Sequence, residues 1–304
     1  MILLYLFSAG IWLAERLSSA VIYGIATILG RAIATLPTAQ RHRLRRNLAV
    51  VVDTSVDDPQ LDPLVKQVFR TQAANYADLL RARCITPSEV EARLIQSGEG
   101  WEPFMECVRR KTGCVLVTPH FGRVELLNHF LGARHLPITL PVERLQPPAL
   151  FELITRQRTR PTYELVPHDA ALRPSLRALK RGEVVVFFAE WAPGGNRVNV
   201  QFFGRSTPFP PGPAFVALRA DVPLFVGFEL PSVHPGTFLA HIGAPLQVER
   251  SSDSNIDVQR LTQRMASEFE RGIRQAPGHW VMFHDIWPEN QPVQQPSLEA
   301  AIPS

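Results

Sequence analysis

The sequence predicts an α/β fold, with a mixed, largely parallel sheet flanked by helices and an apolar helical segment ahead of it. Two observations carry that prediction. From residue 113 onward, short apolar runs alternate with stretches of helical spacing. Residues 1–37 are instead the most apolar part of the chain, and a cluster of arginines follows them. The overall balance, 45% apolar and 20% charged over 304 residues, is that of an ordered globular protein able to bury one large core or two modest ones.

The apolar start holds two runs, Met1 to Ala14 and Leu17 to Gly30, which flank Glu15-Arg16. Each falls short of the ~20 residues that span hydrocarbon. A single span across both would place an ion pair near its middle, at ~2.5–3.5 kcal/mol per charge. No lysine or arginine precedes the first run, which argues against a signal peptide. Next comes Arg41-His42-Arg43-Leu44-Arg45-Arg46. Basic residues beside an apolar segment favour the anionic cytoplasmic leaflet by about 1 kcal/mol each. Residues 1–46 are therefore expected to attach to the cytoplasmic face of the cell (inner) membrane, as a monotopic segment or a single N-terminal pass, with the anionic membrane surface as partner. The competing reading is a buried helix pair plus a solvated basic loop.

Residues 47–112 read as mainly helical. Leu61 to Arg83 has helical apolar spacing at Leu64, Val65, Val68, Phe69, Ala73, Tyr76 and Leu79-Leu80. Thr86-Pro87-Ser88-Glu89 is a capping box with proline at the first helical position, and another helix covers Gly100 to Arg110. Beyond residue 113 the expected strands are Cys114–Thr118, Ile138–Val142, Tyr163–Val166, Val184–Phe188, Leu224–Phe228 and Phe238–Ile242. The expected helices are Val124–Leu131, Pro148–Arg158, Ala170–Arg181, Pro213–Ala220 and Ile256–Gln275. The proline- and glutamine-rich stretch 288–304 reads as a disordered tail, which leaves 47–287 for the α/β domain.

Composition narrows the function. The net charge is +4 and the pI about 9.2, which suits anionic partners such as phosphorylated substrates or a membrane face. There is no zinc-type Cys/His spacing, no Walker-type phosphate loop and no aromatic nucleotide-binding strand motif. Nucleic acid and a metal centre are therefore not expected. Cys84, Cys107 and Cys114 form no disulfide framework and read as small core residues of a reducing compartment.

Two stretches carry chemistry. The run Val115-Leu116-Val117 leads into Thr118-Pro119-His120, and four residues separate His120 from Glu125 at the start of a helical segment. Histidine titrates near neutrality, and a carboxylate holding one ring nitrogen leaves the other as a general base. Ligands of open α/β sheets bind at the carboxyl ends of strands, where His120 falls. The second stretch is Val184–Phe188 running into Glu190-Trp191, with Gly194-Gly195 and Arg197 after it. It supplies a carboxylate and an arginine at another strand end.

Together with the Arg45-Arg46-Asn47-Leu48 patch, Phe202-Phe203-Gly204, Gly212-Pro213-Ala214 and the segment His279 to Trp287, these features make a set in fixed order. That set resembles the lysophospholipid acyltransferase superfamily. More narrowly it resembles the bacterial lipid A lauroyl/myristoyltransferases and the phosphatidylinositol mannoside acyltransferases. The resemblance implies a glycerolipid acyltransferase-like fold and transfer of an acyl chain from a thioester to a hydroxyl of a membrane glycolipid. It implies His120 as general base and Glu125 as the acid that orients it; Glu190 is read as a further catalytic-site carboxylate, suited to binding sugar hydroxyls or tuning the His120 site. No permanently bound cofactor is expected; acyl-CoA or acyl-carrier protein is the co-substrate. Glu143-Arg144 and Glu190-Trp191 look more like the mannoside branch than the lipid A branch. Arg144, Arg158 and Arg197 suit head-group or donor phosphates because guanidinium matches phosphate bidentately, and Glu143 suits sugar hydroxyls or the tuning of His120. A hydrophobic tunnel for the chain is expected. The competing functions are a non-catalytic lipid-binding protein with this fold and an acyl-thioester hydrolase.

Overall fold

The computed structural model describes residues 2–159, 161–191, 195–234, 236–247 and 250–287. The stretch read as a disordered tail, 288–304, lies outside them. The chain begins with α1 (Ile2–Ala14), α2 (Ser19–Thr35), α3 (Ala39–Val51) and α4 (Leu61–Leu80). The starts of α2 and α3 are fixed by side-chain caps: Ser18 accepts the Val21 N–H and Thr38 the Arg41 N–H. Among the described residues no single helix is long and apolar enough to cross a membrane, and α2 and α3 are bent 84° from one another.

A line of large apolar residues on α1 and α2 faces solvent, with Tyr5, Trp12, Val21, Ile25, Ile28 and Leu29 all exposed. The other side of α2 is packed: Ile22, Gly30 and Ala34 are buried, and Gly30 lies so close to the Phe69 and Arg70 backbone of α4 that a Cβ would meet the Phe69 carbonyl oxygen at 2.9 Å. The basic cluster departs from expectation. Arg41 and Arg45 both bind the Asp62 carboxylate, and Arg46 binds Asp285. α3 is therefore stitched to α4 and to the C-terminal segment, and these three cations are largely spent inside the protein.

The rest of the chain runs α5 (Pro87–Glu91), β1 (Leu94–Ser97), α6 (Trp101–Arg110), β2 (Cys114–Thr118), α7 (Val124–Ala133), β3 (Ile138–Val142), α8 (Pro148–Arg158), β4 (Tyr163–Pro167), α9 (Leu172–Lys180), β5 (Val184–Phe188), β6 (Val198–Phe202), β7 (Arg205–Phe209), α10 (Gly212–Ala220), β8 (Leu224–Pro231), β9 (Phe238–Ile242) and α11 (Ser254–Gln275). The main sheet has the order β1-β9-β8-β2-β5-β3-β4. It is parallel from β8 to β4; β9 runs antiparallel to β8, and β1 pairs parallel with β9.

Strand alternation sorts the core into two layers. Val115, Val117 and Val185 face α9, α10 and α11, against Ala178, Val216 and Phe269. Cys114, Leu116, Val184 and Val186 face α6 and α7, against Phe104, Leu126 and Phe130. Each fully buried Phe or Leu contributes ~1.5–3 kcal/mol by leaving water. Cys114 is a core residue as expected, whereas Cys84 and Cys107 are only half-buried.

Three strands were not expected. β1 is four residues long with only Leu94 buried, too short to show a period. β6 and β7 form a separate hairpin whose turn residues Phe203 and Gly204 have φ 51° and 72°. Positive φ at both central residues is the requirement of a type I′ two-residue hairpin turn.

Candidate active site

β2 and β5 are neighbours in register, Cys114 opposite Val184 through Thr118 opposite Phe188. His120 and Glu190 each stand two residues past those last partners, so the parallel pairing brings them together at the carboxyl edge. Glu190 Oε1 accepts the His120 backbone N–H at 2.5 Å and lies 3.0 Å from His120 Nδ1. An ionised carboxylate only accepts, so Nδ1 carries the proton and Nε2 keeps its lone pair. The ring lies against Phe188, centroids 4.7 Å apart, and its side chain remains 42% exposed while that of Glu190 is fully buried. Burial pulls the ring pKa down; the charge of Glu190 and its hydrogen bond more than offset this, and the net shift is upward.

The loop after β2 is held at nearly every backbone group. The His120 carbonyl accepts the Val281 N–H at 2.7 Å, and the Gly122 N–H donates to the His279 carbonyl at 2.8 Å. Phe121 is fully buried and packs edge-on against Phe228 at 5.6 Å. Gly122 has φ 69°, and a Cβ there would meet Glu229 Oε2 at 1.9 Å; only glycine fits. Glu229 Oε2 accepts the Arg123 N–H at 2.8 Å. Burial pushes the Glu229 carboxyl up to about 8.

The structure corrects the role expected of Glu125. Its side chain does not hold the His120 ring; it is buried and paired with Arg158, whose Nε lies 2.9 Å from Oε1 and whose Nη2 also donates to it. The charge of Arg158 in turn reaches the His120 ring and opposes its protonation, while that of Glu143 favours it. Glu125 thus places a cation beside the base instead of orienting the base. Arg144 is more than half exposed and 3.6 Å from Asp169. Arg197 is exposed on the segment leading into β6. Of the two late histidines, His279 is half-buried and its carbonyl pins Gly122. The His284 ring stacks on Trp191, centroids 3.7 Å apart, and burial lowers its pKa, with His120 adding to the effect. Sequence reasoning missed the carboxylate Glu229 and the α4 residues Asn75 and Asp78, which act on the loop from other elements, and Arg123, the loop residue that Glu229 and Asp78 hold.

At the ends of β2 and β5 lies an apolar cavity of about 70 Å³, lined among others by Trp101, Leu116, Leu127, Leu131, Val186 and Phe188. Phe188 is shared between cavity and base: one face of its surroundings is the His120 ring, another the cavity. A void with this lining is dry and suited to hydrocarbon.

Comparison with known proteins gives the family. The chain is 28% identical over 252 residues to a phosphatidylinositol mannoside acyltransferase of Mycolicibacterium smegmatis, covering 81% of this chain and 79% of that protein. It is 27% identical over 250 residues to the phosphatidylinositol mannoside acyltransferase of Mycobacterium tuberculosis strain H37Rv, covering 81% and 76%. The family model described as bacterial lipid A biosynthesis acyltransferase matches residues 1–289. With a match over that length, the chain belongs to the bacterial lipid A biosynthesis acyltransferase family.

Proposed function

We propose that the protein transfers a fatty acyl chain from an acyl thioester, acyl-CoA or acyl-carrier protein, to a hydroxyl of a phosphatidylinositol mannoside-like glycolipid, with His120 as general base. The observation that carries this reading is the His120–Glu190 pair at the adjacent ends of β2 and β5, with Phe188 shared between the His120 ring and an apolar cavity. His120 Nε2 takes the proton of the acceptor hydroxyl as its oxygen attacks the thioester carbonyl. Glu190 stabilises the imidazolium that forms. The carbonyl oxygen becomes an oxyanion, for which Arg158 is the nearby cation. Collapse of the tetrahedral species breaks the C–S bond, and the imidazolium returns its proton to the departing thiolate. The acyl chain occupies the cavity beneath Phe188, and no covalent acyl-enzyme is needed.

The mannoside acceptor is favoured over lipid A by the names of the two relatives and by Glu143-Arg144 and Glu190-Trp191. Glu143 and Arg144, at the exposed rim, meet the sugar and phosphate of the acceptor, and Arg197 extends that rim. The exposed apolar residues of α1 and α2 form a patch of the kind that seats in a lipid surface. They hold the protein on the cytoplasmic face of the membrane as a monotopic enzyme. Incubating the protein with long-chain acyl-CoA, or acyl-carrier protein, plus a panel of phosphatidylinositol mannosides and lipid A precursors tests the reading by mass spectrometry of the lipids. Acylated mannoside is the expected product. Thioester loss at the same rate without acceptor would make the protein a hydrolase. Lipid binding with no turnover would make it a lipid-binding protein.

A further inference from the structure

The loop that carries His120 is gripped from a direction the reaction itself does not use. Asn75 of α4 spans it with one buried amide: Nδ2 donates to the Gly122 carbonyl at 3.0 Å, and Oδ1 accepts the Glu125 N–H at 3.3 Å. One helical turn later, Asp78 is fully buried and binds Arg123 through both oxygens, with Arg123 Nε 2.9 Å from Oδ2. Arg123 is thus fixed at its backbone by Glu229 and at its guanidinium by Asp78.

Asp78 has one more partner, and it comes from α2. The Tyr23 hydroxyl donates to Asp78 Oδ1 at 2.6 Å. Its ring is ringed by guanidinium groups, with Arg81 5.3 Å, Arg93 4.9 Å and Arg123 4.8 Å from the centroid, close enough for cation–π attraction. The helix that supplies Tyr23 exposes Val21, Ile25, Ile28 and Leu29. A hydroxyl-to-carboxylate-to-guanidinium relay therefore runs from the exposed apolar helix to a residue three positions from His120. A buried ion pair is poor evidence of stabilisation, since an apolar replacement of equal volume often serves as well. Its geometric specificity is the more informative property.

We propose that Tyr23, Asp78 and Arg123 are positioning residues for His120: they touch neither donor nor acceptor, and set the placement of the base by anchoring its loop to α4 and α2. This rests on the reading of His120 as the base. The test compares wild type, Tyr23→Phe, Arg123→Lys and, as reference, His120→Ala in the full-length protein. Measured are kcat and donor KM with a long-chain acyl-CoA and a phosphatidylinositol mannoside, cosedimentation with anionic phospholipid vesicles, and the histidine ring signals by NMR. Tyr23→Phe is expected to bind vesicles and donor within twofold of wild type, to lose about 5- to 10-fold in kcat, and to shift the His120 ring signals. Arg123→Lys should lose tenfold or more with the same split.

The proposal is overturned if kcat stays within twofold in the variants. It is equally overturned if the loss falls on vesicle binding or KM alone, which would make Tyr23 an anchoring residue. Should Tyr23→Phe fail to fold, Arg123→Lys decides by the same readouts. A fully active His120→Ala would instead overturn the parent reading. An inactive His120→Ala beside a full-speed Tyr23→Phe would overturn the positioning proposal alone.

Discussion

Glu190→Gln separates the two candidate partners of the base. Glu190 Oε1 takes both the backbone N–H of His120 and its Nδ1–H, and a glutamine carbonyl can reproduce both contacts without the charge. What is lost is the charge-assisted part of the bond to the developing imidazolium. Hydrogen bonds to charged groups contribute ~1.5–3 kcal/mol against ~0.5–1.5 for neutral ones, a difference of ~1–1.5 kcal/mol, so kcat/KM should fall about 5- to 13-fold. The same change acts on the pH profile. Glu190 raises the His120 pKa, so the acidic limb of the wild-type rate lies above the ordinary histidine value, and removing the charge moves it toward acid. Glu125→Gln should move that limb less than Glu190→Gln does, because Glu125 meets Arg158 and reaches the ring only through that cation. The assay is the pH dependence of acyl transfer for the three proteins. A Glu190→Gln profile superimposable on wild type, or a limb moved more by Glu125→Gln, would refute the assignment.

Further outcomes follow from the same contacts. Arg158→Gln leaves Glu125 buried without its cation; taking the lower end of the cost of breaking a buried pair, ~3 kcal/mol, the melting temperature should drop by roughly 5 °C. Most of that should return in Glu125→Leu/Arg158→Met, whereas strictly additive losses in thermal melts would show that the two residues are not coupled. Glu229 holds its proton to about pH 8 in the fold and ionises near ordinary carboxylate values when unfolded. Its contribution is therefore complete below the unfolded value and lost as pH rises toward 8, at ~1.4 kcal/mol per pH unit. Glu229→Gln should flatten this decline, read as a smaller difference between melting temperatures at pH 6 and pH 8 than in wild type; parallel curves would contradict it. Leu127→Phe fills part of the cavity under Phe188. Rates across donors of increasing chain length should fall for the longest chains and hold for the shortest, and a uniform loss would place the chain elsewhere.

Much of the fold was legible because the parallel strands are buried on both faces and read as short apolar runs. Val184–Phe188 and Cys114–Thr118 match their sequence-derived limits to the residue. β1 escaped because it adds only four residues to an edge. The hairpin at Phe203-Gly204 escaped because positive φ falls on a phenylalanine, where a glycine or asparagine is the usual signal. His120 and Glu190 were both legible as strand-end residues. Their pairing was also within reach, since each lies two residues beyond its strand and neighbouring parallel strands in register bring such positions together. The spacing His120-x4-Glu125 pointed elsewhere because it ignores direction: Glu125 sits in the first turn of α7, facing Arg158 at the end of α8. Nothing local to the sequence joins Glu125 to Arg158, or Tyr23 to Asp78 and Arg123; those partners meet only once α2, α4, α7 and α8 have packed.

The central claim is that His120 takes the proton from a glycolipid hydroxyl as it is acylated. The most direct measurement is the amount of acylated phosphatidylinositol mannoside formed from an acyl thioester by wild type and by His120→Ala, both checked for folding and vesicle binding. Acceptor-dependent product from the wild type, reduced 10²- to 10⁴-fold by the substitution as expected for loss of a general base, is the predicted result. Product formed at the wild-type rate by a folded His120→Ala would contradict it.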